Sequence, residues 1–184
     1  MALIVPAAGP ERTPDACALK SQLKEGKRMS KHSPLSEDTT RLLRHFLATI
    51  AYRSRVSIRD APEGYDALRL AEGGMTALEL VNHMTNVLGY TRAEITHEER
   101  LRYDLCDWHG EVARFYEILG ELDRAFAEGV ELAEGGELRL LQGPLTDTCT
   151  HIGQLAALRR LAGSPVPGEN YIKADIQIGR VGMD

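Results

Sequence analysis

The sequence predicts an all-α fold, a four-helix bundle, from three observations. Four segments carry apolar residues at helical spacing between recognisable start and stop signals. No convincing period-two alternation marks a strand. The run Leu101, Leu105, Trp108, Val112, Phe115, Leu119, Leu122 and Phe126 alternates steps of four and three, the 3.5-residue repeat that lines a bundle or coiled-coil seam. At 184 residues, 43% hydrophobic and 27% charged, the chain has the size and balance of one globular domain.

Residues 1–35 have no apolar period, four prolines and the basic cluster Lys24, Lys27, Arg28 and Lys31. They read as a flexible N-terminal arm ahead of a bundle domain over 36–184, with Met29 as an alternative start. From a cap at Ser36 or Asp38, a first helix runs through Leu42, Leu43, Phe46, Leu47, Ile50 and Ala51 to about Ile58. His45 shares its polar face with Arg41, Thr49 and Arg53. Residues 61–75, with Pro62, Gly64, Gly73 and Gly74, read as a linker long enough to cross one end of a bundle. Thr76 and Glu79 then stand at capping-box spacing. The second helix carries Ala77, Leu80, Val81, Met84, Val87 and Leu88, with Gly89 as its stop and His83 on the flank of the stripe, as a core-boundary residue or a ligand.

Thr91 to Arg100 reads as a short polar helix or turn with His97 exposed. The third helix follows from Leu101 and ends before Gly129. His109 and Tyr116, at i and i+7 on one flank of its seam, either reach a site or edge the core. The fourth helix spans Gly143 to Gly163, with Pro144 at its first position and Gly163 followed by Ser164-Pro165 as its stop. Asp147, His151 and Gln154 form one stripe on it, which runs into Leu155, Leu158 and Leu161. Buried groups of that kind need a metal ion, a hydrogen-bond network or an open cleft. Cys149 points about 160° from His151 and reads as a buried structural thiol. The tail over 169–182 is expected as coil or short helix over one end.

The net charge of −5 divides unevenly: residues 1–36 carry six Lys/Arg against three Asp/Glu, leaving about −8 on the rest. Such a body is a poor nucleic-acid surface. The three cysteines fit reduced thiols, and no apolar run or secretory leader is evident, so a cytoplasmic protein without a membrane or nucleic-acid partner is expected. Serine-protease-like triads, phosphate loops and dinucleotide motifs are missing.

The segments A-Y-R-S-R on helix one, N-H-M-T-N-V-L-G on helix two and T-H-I-G-Q-L-A-A-L-R-R-L-A-G-S-P on helix four resemble, in order and spacing over residues 38–166, the DinB-like superfamily of bacterial bundle proteins. The resemblance implies an up-down-down-up bundle, often a homodimer. It also implies a divalent metal held by a helix-two histidine, here His83, and a helix-four pair, here Asp147 and His151. Characterised relatives bring a low-molecular-weight thiol to the metal. Asp147 stands where many relatives have histidine, which leaves a bound ion with a net charge near +1 and favours Mn, Fe or Zn, with Ni the other candidate. Gln154 would hold a metal-bound water or orient an imidazole. The functional expectation is a metal-dependent enzyme activating a thiol or water for a small-molecule substrate, with His109 or Tyr116 transferring protons. The alternative is a non-catalytic, dimeric ligand-binding or stress-response bundle with a vestigial site.

Overall fold

Ser36 opens the first helix, α1 (Glu37–Ile58): its hydroxyl accepts from the Thr39 N–H, and Glu37 and Asp38 sit at the positive end of the helix dipole. A computed structural model describes residues 32–183; the basic cluster and Met29 of the expected arm lie outside the described residues. Helix α2 (Ala77–Thr96) starts at the full capping box, with Thr76 and Glu79 each bonded to the other's N–H. Asp107 caps α3 (Trp108–Glu128) by accepting from Gly110. A short α4 (Gly136–Leu140) passes through a π-helical turn over Leu141–Leu145 into α5 (Thr146–Leu161). At its end the Gly163 N–H bonds Arg160 O and the Ser164 N–H bonds Arg159 O, with Gly163 at φ 69°, a Schellman stop.

Polar pairs along the seams give the helix directions. Arg44 and Ser54 of α1 meet Asp123 and Tyr116 of α3, so these helices are antiparallel. Asn82 and Arg92 of α2 meet Glu111 and Glu121 of α3, so these are parallel. The Arg159 guanidinium near the end of α5 donates to the Arg59 carbonyl at the end of α1. The topology is therefore up-down-down-up. Helices α1 and α2 stand on a diagonal, each flanked by α3 and α5, and the linker between them crosses one end. Tyr65 secures that crossing: it is buried and donates its hydroxyl to the Leu155 carbonyl at 2.8 Å. The core between the four layers holds Leu47, Ile50, Met84, Leu88, Phe115, Leu122, Leu155 and Leu158, all fully buried.

Several boundaries differ from the sequence expectation, each for a local reason. His32–Pro34, inside the expected arm, form strand β1, antiparallel to β2 (Glu131–Ala133). Helix α2 continues past Gly89 to Thr96 and ends at His97 with φ 59°. Gly89 serves close approach: a Cβ there would stand 3.0 Å from the Tyr103 ring. Helix α3 begins at Trp108, not Leu101, because the Asp107 cap interrupts the pattern; Leu101 and Leu105 are exposed. Pro144 lies within a helix rather than at its start, and the widened π turn accommodates its missing N–H and its ring. Leu42, expected on the apolar stripe of α1, faces outward. The tail, coil around a 3-10 turn at Tyr171–Lys173, runs along α1, with Tyr171 against Arg53 and Gly179 beside Arg44. No helix among the described residues is long and apolar enough to cross a membrane.

Candidate metal centre

Helices α2 and α5 share a seam, and on it the structure brings together the three residues that the sequence singles out, one on α2 and two on α5. His83 Nε2 lies 3.3 Å from Asp147 Oδ2, and His151 Nε2 lies 3.5 Å from Asp147 Oδ1. The two imidazoles stand edge to face with centroids 4.7 Å apart. One donor atom from each residue falls within 4.8 Å of the others, close enough to share one ion. His151 is buried at 9% exposure, while the His83 and Asp147 side chains are nearly half exposed at 40% and 45%. The cluster thus has a walled side and an open side.

Gln154, one turn beyond His151, decides which nitrogen faces the cluster. Its Oε1 lies 2.8 Å from His151 Nδ1, and a carbonyl oxygen there favours the tautomer that carries its proton on Nδ1. In the neutral ring the lone pair of Nε2 then points at a carboxylate oxygen. Lone pairs facing each other repel unless a proton or a cation lies between them. At 3.5 Å the contact is longer than the roughly 2.7–2.9 Å of a charge-assisted N–H···O bond. The two gaps run to different oxygens of the one carboxylate, and one donor from each residue lies within 4.8 Å of the others, a spread that a single ion with ligands at about 2.0–2.2 Å can draw together. The donors present therefore fit a divalent cation, with further positions left to the solvent side.

No family model, curated protein or solved structure matches this chain.

Two grooves reach the cluster from either side of a ridge made by Val87 and Tyr90. One, of about 590 Å³, is bordered by Asp147, Glu94, Thr146 and Thr150 and has no basic side chain in its lining. The other, of about 510 Å³, is bordered by His83, Asn82, Asn86 and Tyr103. Its far wall is the 97–107 loop, which both asparagines hold through the Tyr103 carbonyl at 3.1 Å.

The two residues expected to transfer protons stand elsewhere. Tyr116 is buried on the α1–α3 seam, on the opposite side of the bundle, and shares a hydrogen bond with Ser54 at 3.0 Å. Burial pushes its hydroxyl pKa up to about 12. His109 is exposed at the start of α3, where it lines a cleft with Asp60, Glu63 and Trp108. Cys149 is half-buried, and burial, opposed by the nearby Arg53 charge, pushes its thiol pKa up, which keeps it protonated.

One residue of the surroundings escapes the sequence reading. Glu111 is fully buried and accepts from Asn82 Nδ2 at 3.1 Å and from the Cys106 N–H at 2.8 Å, with Arg114 at 3.3 Å. It fastens the 97–107 loop, and with it one wall of the cluster, to α2 and α3. The available signal is its position at i−4 from Phe115 and i−7 from Ile118, on the buried face of α3.

Proposed function

We propose that the protein is a metal-dependent enzyme of the DinB-like kind, in which His83, Asp147 and His151 hold one divalent ion and a small molecule approaches along the α2–α5 seam. The observation that carries this reading is the cluster itself: His83, Asp147 and His151 each offer a donor atom within 4.8 Å of the others, and Gln154 Oε1, 2.8 Å from His151 Nδ1, engages the far nitrogen of that ring and leaves Nε2 to face Asp147. A bound ion would act as a Lewis acid towards water or a low-molecular-weight thiol, which favours thiol transfer or hydrolysis as the reaction class.

Each residue then has a separate task. His151, rigid and buried, supplies the fixed donor. His83, on the facing helix, ties α2 to α5. Asp147 lowers the net charge of the centre and tilts its preference towards Mn, Fe or Zn over Ni. The groove beside Asp147, with two carboxylates, hydroxyls and no basic group, would receive a neutral or cationic portion of the substrate. Tyr116 and His109 have no part in this arrangement, so proton transfer falls to solvent at the open side.

The test is elemental analysis of the wild type and of His151→Ala after reconstitution with Zn²⁺, Ni²⁺, Mn²⁺ and Fe²⁺ in turn. One tightly held ion per chain is expected in the wild type, and its loss in a variant that keeps its helical circular dichroism. Equal metal content in the two proteins would refute the ligand assignment. Absence of metal from both would refute the metal reading and leave the three residues as a hydrogen-bonded polar cluster.

A further inference from the structure

The groove beside Asp147 leads away from the cluster along the α2–α5 seam, and its chemistry is one-sided. Glu94 borders it about three turns of α2 beyond His83, or about 16 Å of axial rise. Among the described residues the Glu94 carboxylate forms no ion pair. Arg100, 5.9 Å from the Tyr90 ring centroid, and Arg139, whose Nη1 donates to the Glu134 carbonyl, stand outside the lining. Val87, Tyr90 and Pro144 give the groove apolar walls, and three threonines complete them. Thr91 Oγ1 donates to the Val87 carbonyl at 3.0 Å, Thr150 Oγ1 to the Thr146 carbonyl at 3.1 Å, and Thr146 Oγ1 to the Leu141 carbonyl. Their hydroxyl protons are thus spent within the helices, and only Tyr90 and Gln142 of the lining keep a side-chain proton to donate.

A ligand for such a groove needs an apolar body to lie on those walls and a donor-rich end to meet Glu94. An anion would find carboxylates and no basic side chain. An ion held at the cluster takes up the Asp147 charge, which leaves Glu94 as the anionic group of the groove, more than a Debye length along α2 from the ion's histidine ligand. Gly143 keeps the passage open, because a Cβ there would meet no atom within 4 Å. We propose that this groove takes a substrate with an aliphatic chain ending in an ammonium group, the chain against Val87, Tyr90 and Pro144 and the ammonium on Glu94. That this ligand is the substrate rests on the metal reading, because its other end would lie at the ion; the selectivity of the groove for it does not.

The experiment is a titration of the full-length protein with n-butylamine, n-hexylamine and 1-hexanol at neutral pH and matched ionic strength, followed by calorimetry and by amide NMR shifts. Hexylammonium is expected to bind about three- to fivefold more tightly than hexanol, which has the same chain without the charge. It should also bind at least about fivefold more tightly than butylammonium, and the shifts should fall over 87–94 and 142–150. Glu94→Gln should remove the preference for hexylammonium and leave the dependence on chain length. Gly143→Leu puts a side chain into the open passage, and should weaken hexylammonium and hexanol alike by at least about tenfold while helical circular dichroism is kept. The series is run on metal-free protein and again after loading with Zn²⁺, with elemental analysis alongside. No bound ion but an intact probe order refutes the metal reading and leaves the groove's selectivity standing. Hexanol bound as tightly as hexylammonium, a preference undiminished by Glu94→Gln, shifts confined to 102–105, or no binding by any probe overturns the proposal.

Discussion

Replacing Gln154 by leucine removes the acceptor that sets the His151 tautomer. The bond is short, at 2.8 Å, and the His151 side chain is only 11% exposed, so water does not readily take the place of the lost oxygen. The released Nδ1 is then free to exchange its proton with Nε2, and the ring loses the orientation that directs its lone pair at Asp147. Loss of such an orienting partner lowers metal affinity by about 10–100-fold, or about 1.4–2.7 kcal/mol. Competition titration with a chromophoric chelator reads this directly as Kd for Zn²⁺. Gln154→Glu should act in the opposite sense, because a carboxylate accepts the same proton and makes the imidazole a stronger donor. A variant series in which leucine, glutamine and glutamate bind the ion equally would refute the reasoning, even if the ion itself is present. A general packing defect would weaken both substitutions together, so the opposed signs are what isolate the tautomer.

Two further outcomes follow from groups away from the ion. Glu111→Ala leaves the Asn82 amide and the Cys106 N–H without their buried acceptor; a stability loss of about 3 kcal/mol by urea denaturation is expected, with faster hydrogen exchange over 100–106, and a loss below about 1 kcal/mol would show that the contact is not holding the loop. The Thr76 N–H, followed by its hydroxyl, holds the Glu79 carboxyl below its ordinary pKa, so the capping contribution is complete above the unfolded value and fades as pH falls through the folded one. The Tm gap between wild type and Glu79→Gln should be flat above about pH 5 and close below about pH 4; a gap independent of pH would rule out the carboxylate as its source.

The helix ends legible in the sequence are those written in side-chain chemistry at fixed spacing. Thr76 with Glu79 and Gly163 with Ser164 form the cap and stop that their spacing implies. His83, Asp147 and His151 were also readable, since a polar stripe running into leucines on α5 has few places to go. The errors fall where a tertiary contact overrides a local rule. Gly89 reads as a stop but is spared for the Tyr103 ring. Leu101 and Leu105 continue a heptad, yet the Asp107 cap and the Glu111 anchor hold that stretch as an extended loop. Pro144 reads as a helix start because a π turn leaves no mark of its own in composition. Glu111 and Arg159 were invisible for a different reason: charge predicts exposure on average, and only the folded chain reveals which charged residue on a helix is the exception.

The diagonal placement of α1 and α2 bears on how the chain leaves the ribosome. The apolar face of α1 has no partner in the helix that follows it, so it must wait for α3, whose first residue is Trp108, fifty positions after Ile58. At synthesis rates of about 5–20 residues per second, that face waits several seconds for its partner. A bundle wound so that neighbours in sequence are neighbours in space has no such interval. The consequence of this topology therefore falls on the order of assembly, with α1 completed only once α3 has been made.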